Sequence, residues 1–184
     1  MKLDINISYC DRLDSQGVEL LQSIVDAHDQ AARNNQNASS LAAVNAFVGS
    51  GNIGNGIASA ILTLGQHHGP ISMARTVYEE FNQQHIDGCL NAKIKVPGFG
   101  NSFFKDSIDP AWNNVWNLMN TKFTKISNRI NELQKMLEMR GKIIFPNAAL
   151  LTAAACSELG FVRGTESSIF IIARIPAWTS LCIK

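Results

Sequence analysis

Charge is scarce in this 184-residue sequence: charged residues make up 17%, the net charge is +1, and no long basic run occurs. A nucleic-acid platform needs clustered Lys and Arg to displace counterions from phosphates, so that class of function is excluded. Missing too is an uninterrupted apolar run of the roughly 18–20 residues that a membrane span requires. The opening MKLDINISYC carries one Lys and no apolar core, so no signal peptide is read. Cysteine is sparse. Cys10, Cys89, Cys156 and Cys182 lie far apart without a CxxC pair, which predicts reduced thiols, a cytoplasmic setting and no metal site.

What the chain does have is apolar substance, 46% of its residues, enough for one domain with its own core. Its pattern is helical almost throughout. Asp14 and Ser15 precede Val18, Leu21, Val25 and His28 at spacings of three and four. The polar run 33–37 breaks that helix. Leu41, Val44 and Val48 begin another, and Ile57, Ile61 and Leu64 a third, whose Gly56, Ala58, Ser59 and Ala60 permit close helix approach. A further helix holds Val77, Tyr78 and Phe81 and stops near Gly88.

Residues 92–109 have one Pro, two Gly and no helical period, which makes a long loop and a candidate functional element. From Trp112 to Leu137 the three/four spacing returns, as one long helix or two joined near Asn120. Pro146 opens an apolar helix that Gly160 closes, with Phe161 placed for a contact beyond the glycine cap. Thr165 is placed to cap a last helix over Ser168 to Trp178, which Pro176 should kink or tighten. No stretch alternates with period two long enough for a sheet. The expected fold class is all-α.

Several short motifs invite chemistry. Gly49-Ser-Gly51-Asn-Ile-Gly54 matches GxGxxG, but no strand precedes it and no acidic residue lies about twenty positions on; a glycine-rich helix junction is the reading. His67-His68 sits at a helix end before Gly69-Pro70, where a neutral core or cap histidine is the plainer interpretation. Arg174 lies within Ile169-Phe-Ile-Ile-Ala-Arg-Ile-Pro-Ala-Trp178, and a guanidinium there needs an anion or carbonyls. A structural salt bridge and a bound carboxylate both satisfy it. Val96-Pro97-Gly98-Phe99-Gly100 exposes backbone amides, as an anion-facing loop or as an ordinary surface turn.

Taken in order, the motifs say more. Asn37-Ala-Ser39, Gly65-Gln-His-His68-Gly69, Val96-Pro-Gly-Phe-Gly100 with Asp109-Pro110, Pro146-Asn147 and Phe170-Ile-Ile-Ala-Arg174-Ile-Pro-Ala-Trp178 succeed one another. This series resembles the C-terminal half of the citrate synthase family, which includes citryl-CoA lyase modules and reads D-H-x-x-N-A-S, G-P-x-H-G, P-G-[FY]-G-H, D-P-R, P-N-V-D and F-x-x-[AS]-R-x-x-G-W. The resemblance runs from about residue 15 to the C-terminus. It implies a shortened citrate synthase-like helical bundle with a coenzyme A-type loop at about 92–109. It also implies one domain over 1–184, with large-domain helices split around a small-domain-like segment at about 70–150. The family's helical N-terminal portion and its last segment, which carries an arginine into the neighbouring subunit, have no counterpart here.

The family enolises an acyl-CoA with an aspartate and two histidines and joins it to a 2-oxo acid. By the resemblance His68 is the enol-side histidine and Arg174 a carboxylate arginine. Val96, Pro97, Gly98, Phe99 and Gly100 wrap coenzyme A, with Lys105 near its phosphates. Other catalytic positions are filled differently: Ala149 stands where the aspartate belongs, and a methyl group cannot accept a proton. Asn101 replaces the second histidine and can donate a hydrogen bond without carrying charge. Ala111 replaces the D-P-R arginine, and Asn34 replaces the first histidine, with His28 six positions earlier.

Three readings follow. The first is an inactive or non-canonical homologue that binds an acyl-CoA and self-assembles as a homodimer or higher oligomer through helices around 41–64. The second is an active CoA-thioester enzyme, an acyl-CoA transferase, citryl-CoA lyase or thioester hydrolase, that uses His68 with His28 or Asp106. The third is a purely structural assembly subunit. A coenzyme A thioester is the expected ligand, with no covalent cofactor. A separate chain supplying the missing N-terminal part is a further expected partner.

Overall fold

A computed structural model describes residues 13–33, 37–65 and 67–183. Among them are nine α-helices and no strand: α1 Ser15–Arg33, α2 Ala38–Ser50, α3 Ile53–Leu62, α4 Ile71–Glu80, α5 Gln83–Asn91, α6 Asn113–Thr121, α7 Thr124–Glu138, α8 Ala148–Glu158 and α9 Glu166–Cys182. A 3-10 turn over Pro110–Trp112 precedes α6. The expected all-α class is the observed one. None of these helices is long and apolar enough to cross a membrane.

The helix starts follow from local chemistry. Asp14 accepts the Gly17 amide at 2.8 Å and opens α1; Asn37, Asn52 and Asn147 cap α2, α3 and α8 with side-chain oxygens that take the free first-turn amides. Gly51, at φ 66°, ends α2 in the left-handed conformation, so the glycine-rich motif is a helix junction.

Three boundaries differ from expectation. The helix through Tyr78 divides in two, because Asn82 and His85 form a reciprocal capping box that starts α5 just after the extended Phe81. The pattern from Trp112 to Leu137 also divides, at Lys122–Phe123. Thr165 makes no side-chain cap; instead Glu166 accepts the Gly164 amide at 2.8 Å, and α9 runs through Pro176 to Cys182.

Two apolar clusters organise the helices. The larger gathers Leu20, Ile24, Tyr78, Ile86, Trp112, Met119, Leu133, Leu150 and Phe170 from α1 and α4–α9. The smaller joins Ala32, Ala43, Ala60, Ala177, Trp178 and Cys182 from α1, α2, α3 and the end of α9. Its small residues bring backbones together: a Cβ on Gly56 would stand 2.8 Å from the Ala43 oxygen and 2.9 Å from Cys182 Sγ. Helix α9 threads both clusters, with Phe170 in one and Trp178 in the other. Arg174 falls between them.

Candidate functional site

The centre is built on the helix cap at Asn37. Asn37 Oδ1 accepts the Ser40 amide at 3.0 Å and the Ser39 hydroxyl at 2.8 Å. That fixes the fully buried Ser39, whose Oγ lies 3.1 Å from Nε2 of His68. His68 sits in the turn between α3 and α4. The next residue, Gly69 at φ 68°, lies so flat on Phe170 that a Cβ there would meet the ring at 3.3 Å. The His68 ring stands edge-on to Phe170, with centroids 6.3 Å apart. Burial, then the nearby Arg174 charge, push the His68 pKa down to about 4, so the ring is neutral at pH 7.

One turn along α9, the Arg174 guanidinium covers the other side of this arrangement, 4.1 Å from the Phe170 centroid. Arg174 Nε donates to Nδ1 of His28 at 3.4 Å. Arginine has no acceptor, so the hydrogen of the neutral His28 ring belongs on Nε2, which donates to Thr152 Oγ1 at 2.9 Å. His28 is wholly buried and packs edge-on against Trp112 and Phe170, each with ring centroids 4.7 Å away. Burial and Arg174 hold its pKa well below 6.5.

Arg174 itself is 5% exposed, and its pKa is lowered to about 10 by burial, against the attraction of Asp109. It makes no ion pair with a described carboxylate, and its buried Nη1 has no hydrogen-bond partner. A buried guanidinium nitrogen facing nothing is costly unless an anion completes it.

The 96–100 loop is fastened to the start of α8. The Gly100 amide donates to the Phe145 carbonyl at 2.8 Å, the Asn147 amide to the Gly98 carbonyl at 2.9 Å, and Asn147 Nδ2 to the Gly100 carbonyl at 3.0 Å. Gly98 has φ 90°, and a Cβ there would overlap Leu150 Cβ at 2.8 Å. Only glycine allows this approach.

The sequence-derived site residues are therefore only partly together. His68 and Arg174 share Phe170. Val96 and Phe99 have side chains in the core, which leaves Pro97, Gly100 and the loop backbone as its outward parts. Asn101 is half-buried, and its Oδ1 accepts the Phe103 amide at 2.9 Å within the loop. Lys105 and Asp106 are exposed. Ala149 is buried in the first turn of α8, and its amide donates to Asn147 at 3.0 Å. Asp109 caps the 3-10 turn through the Ala111 amide. Asn34 lies outside the described residues.

His28 and Thr152 enter as partners of Arg174 that the sequence did not mark. His28 fits the helical apolar period and reads as core, and Thr152 is one polar residue in an alanine-rich helix. Among the described residues no group of three or more His, Cys, Asp or Glu side chains could hold a metal. A surface hollow of about 480 Å³ lies elsewhere, along α5, lined by Phe81, Gln84, His85, Gly88, Cys89 and Ile94.

No family model and no curated relative match the sequence. Solved structures do match. Citryl-CoA lyase from Hydrogenobacter thermophilus superposes with a TM-score of 0.77 at 18% identity, over 93% of this chain and 70% of that one. Citrate synthase from Thermotoga maritima gives 0.78 at 26% identity, over 93% of this chain and 49% of that one. The archaeal citrate synthase from Thermoplasma acidophilum, solved with carboxymethyl coenzyme A and oxaloacetate, gives 0.71 at 19% identity, covering 92% and 48%. The chain thus spans about half the length of the two synthases. By its fold, the chain is citrate synthase-like.

Proposed function

We propose that this protein binds an acyl-coenzyme A thioester beside His68 and Arg174 without carrying out the synthase condensation at an ordinary rate. The observation that carries this reading is Ala149, buried in the first turn of α8 just after the Pro146-Asn147 clip. A carboxylate there would take the α-proton of the acyl group; alanine offers no acceptor, and a positioned general base is worth roughly 10²–10⁴-fold. What remains is a binding arrangement: a neutral histidine held by Ser39, a buried guanidinium without an anion, and a glycine loop locked to α8. The archaeal synthase structure holds a coenzyme A derivative, which supports coenzyme A as the ligand class.

Self-association belongs to the same proposal. Helices α2 and α3 leave Leu41, Val48 and Leu62 46%, 75% and 85% exposed on apolar segments, a surface suited to a second copy.

Calorimetric titration with acetyl-CoA, with and without Lys105→Ala, tests the binding. Heat with micromolar to millimolar affinity, together with citrate formation no faster than buffer, is expected. An absence of heat with any acyl-CoA would remove the reading.

A second reading rests on His68 being half-buried, neutral and fixed by Ser39. Such a ring can serve a thioester hydrolase, in which water adds to the carbonyl, the C–S bond breaks and the thiolate leaves with a proton. Thiol release from acetyl-CoA that is lost in His68→Ala favours it over the first.

A further inference from the structure

The identity of the anion that completes Arg174 can be read from what surrounds it. Nε is committed to His28, and Nη1 is buried without a partner. The face of the guanidinium is covered by Phe170. From α1, α2, the α3–α4 turn and α8, the groups gathered around this arrangement are His28, Ser39, His68 and Thr152: neutral donors and acceptors, with no cation. From the 3-10 turn comes Asp109, whose carboxylate Arg174 feels without forming an ion pair. The other buried arginine, Arg75, is already paired with Glu79 and with the fully buried Glu166. Asn101 has turned its oxygen into its own loop, and Ala111 has no charge to give.

A ligand with one carboxylate would therefore meet one available cation. A second carboxylate would be desolvated beside neutral groups, under the field of Asp109, and like charges in a partly buried site repel strongly. We propose that the Arg174 centre takes the carboxylate of a short monocarboxylic acid and discriminates against dicarboxylates, with Asp109 as the excluding residue. This rests on the reading that this centre is the ligand site, and it adds the substrate class.

The test is calorimetry on the full chain at pH 7 in a phosphate-free buffer, with propionate and pyruvate set against malonate and malate, and acetyl-CoA titrated separately. Monocarboxylates are expected to bind at least tenfold more tightly. Arg174→Gln should abolish their binding. Asp109→Asn keeps a helix-cap acceptor and hence the fold; it should narrow the gap by strengthening dicarboxylate binding. If Arg174→Gln does not fold, the Asp109→Asn comparison decides alone. Equal or tighter dicarboxylate binding, or a gap untouched by Asp109→Asn, overturns the inference. Acetyl-CoA binding without any carboxylate binding also overturns it and leaves the proposed function standing. Monocarboxylate preference without coenzyme A binding does the reverse.

Discussion

Arg174 and His28, separated by 146 positions, meet through a 3.4 Å hydrogen bond in which the guanidinium donates to the imidazole. The imidazole passes the constraint on to Thr152, so three helices, α9, α1 and α8, hold one cation in place. His28→Gln should loosen that hold. Unfolding in urea is expected to show a loss of about 1–3 kcal/mol, the cost of stranding buried polar groups. A variant as stable as the parent would mean that the chain of contacts carries no energy.

Acid should weaken the fold through the same residue. The folded pKa of His28 lies well below 6.5, so the unfolded chain binds the proton more readily. The stabilisation is complete above pH 6.5 and is lost as pH falls towards the folded value. His68 acts in the same direction between 6.5 and about 4. Urea midpoints should fall between pH 7.5 and pH 5, and His28→Gln should flatten the profile. A flat parental profile would contradict the assignment of neutral rings.

Gly98→Ala should be among the more damaging small changes. The new methyl would need a left-handed backbone and would overlap Leu150 Cβ at 2.8 Å and Ala74 Cβ at 3.2 Å. A loss of roughly 2–3 kcal/mol is expected from strain and overpacking. Thermal melting would record it, and an unchanged midpoint would show that α4 and α8 yield easily.

Ala149→Asp supplies a proton acceptor in the first turn of α8, where the helix N-terminus favours negative charge. Exchange of the acetyl-CoA methyl hydrogens with deuterated solvent should accelerate by roughly tenfold, the low side of the general-base range. No acceleration, in a variant that still binds acetyl-CoA, would place the reacting carbon elsewhere.

Leu62→Glu and Val48→Glu place charge on the exposed apolar side of α2 and α3. Sedimentation should shift from dimer to monomer with the helical circular dichroism unchanged. A monomeric parent would end the self-association proposal.

The helices were legible in the sequence because amphipathic periods, asparagine caps and glycine stops are local. The capping box at Asn82 and His85 was equally local, yet the periodicity across Tyr78 and Phe81 masked it. The ordered motifs placed His68 and Arg174 in the same centre. They could not reveal His28 and Thr152, because that pairing spans 124 positions and depends on how α1 lies against α8. Phe99 reads as a ligand-facing ring in the sequence, whereas packing turns its side chain into the core.

The three hydrogen bonds that tie Gly98 and Gly100 to Phe145 and Asn147 make the glycine loop and the first turn of α8 a single mechanical piece. Lifting the loop would strip Asn147 of its anchor and, with it, the acceptor that holds the Ala149 and Leu150 amides. Any molecule that presses on the loop therefore pushes on the start of a buried helix some fifty residues downstream. Hinge motion of the loop by itself is not open to this protein; the two segments open or close together.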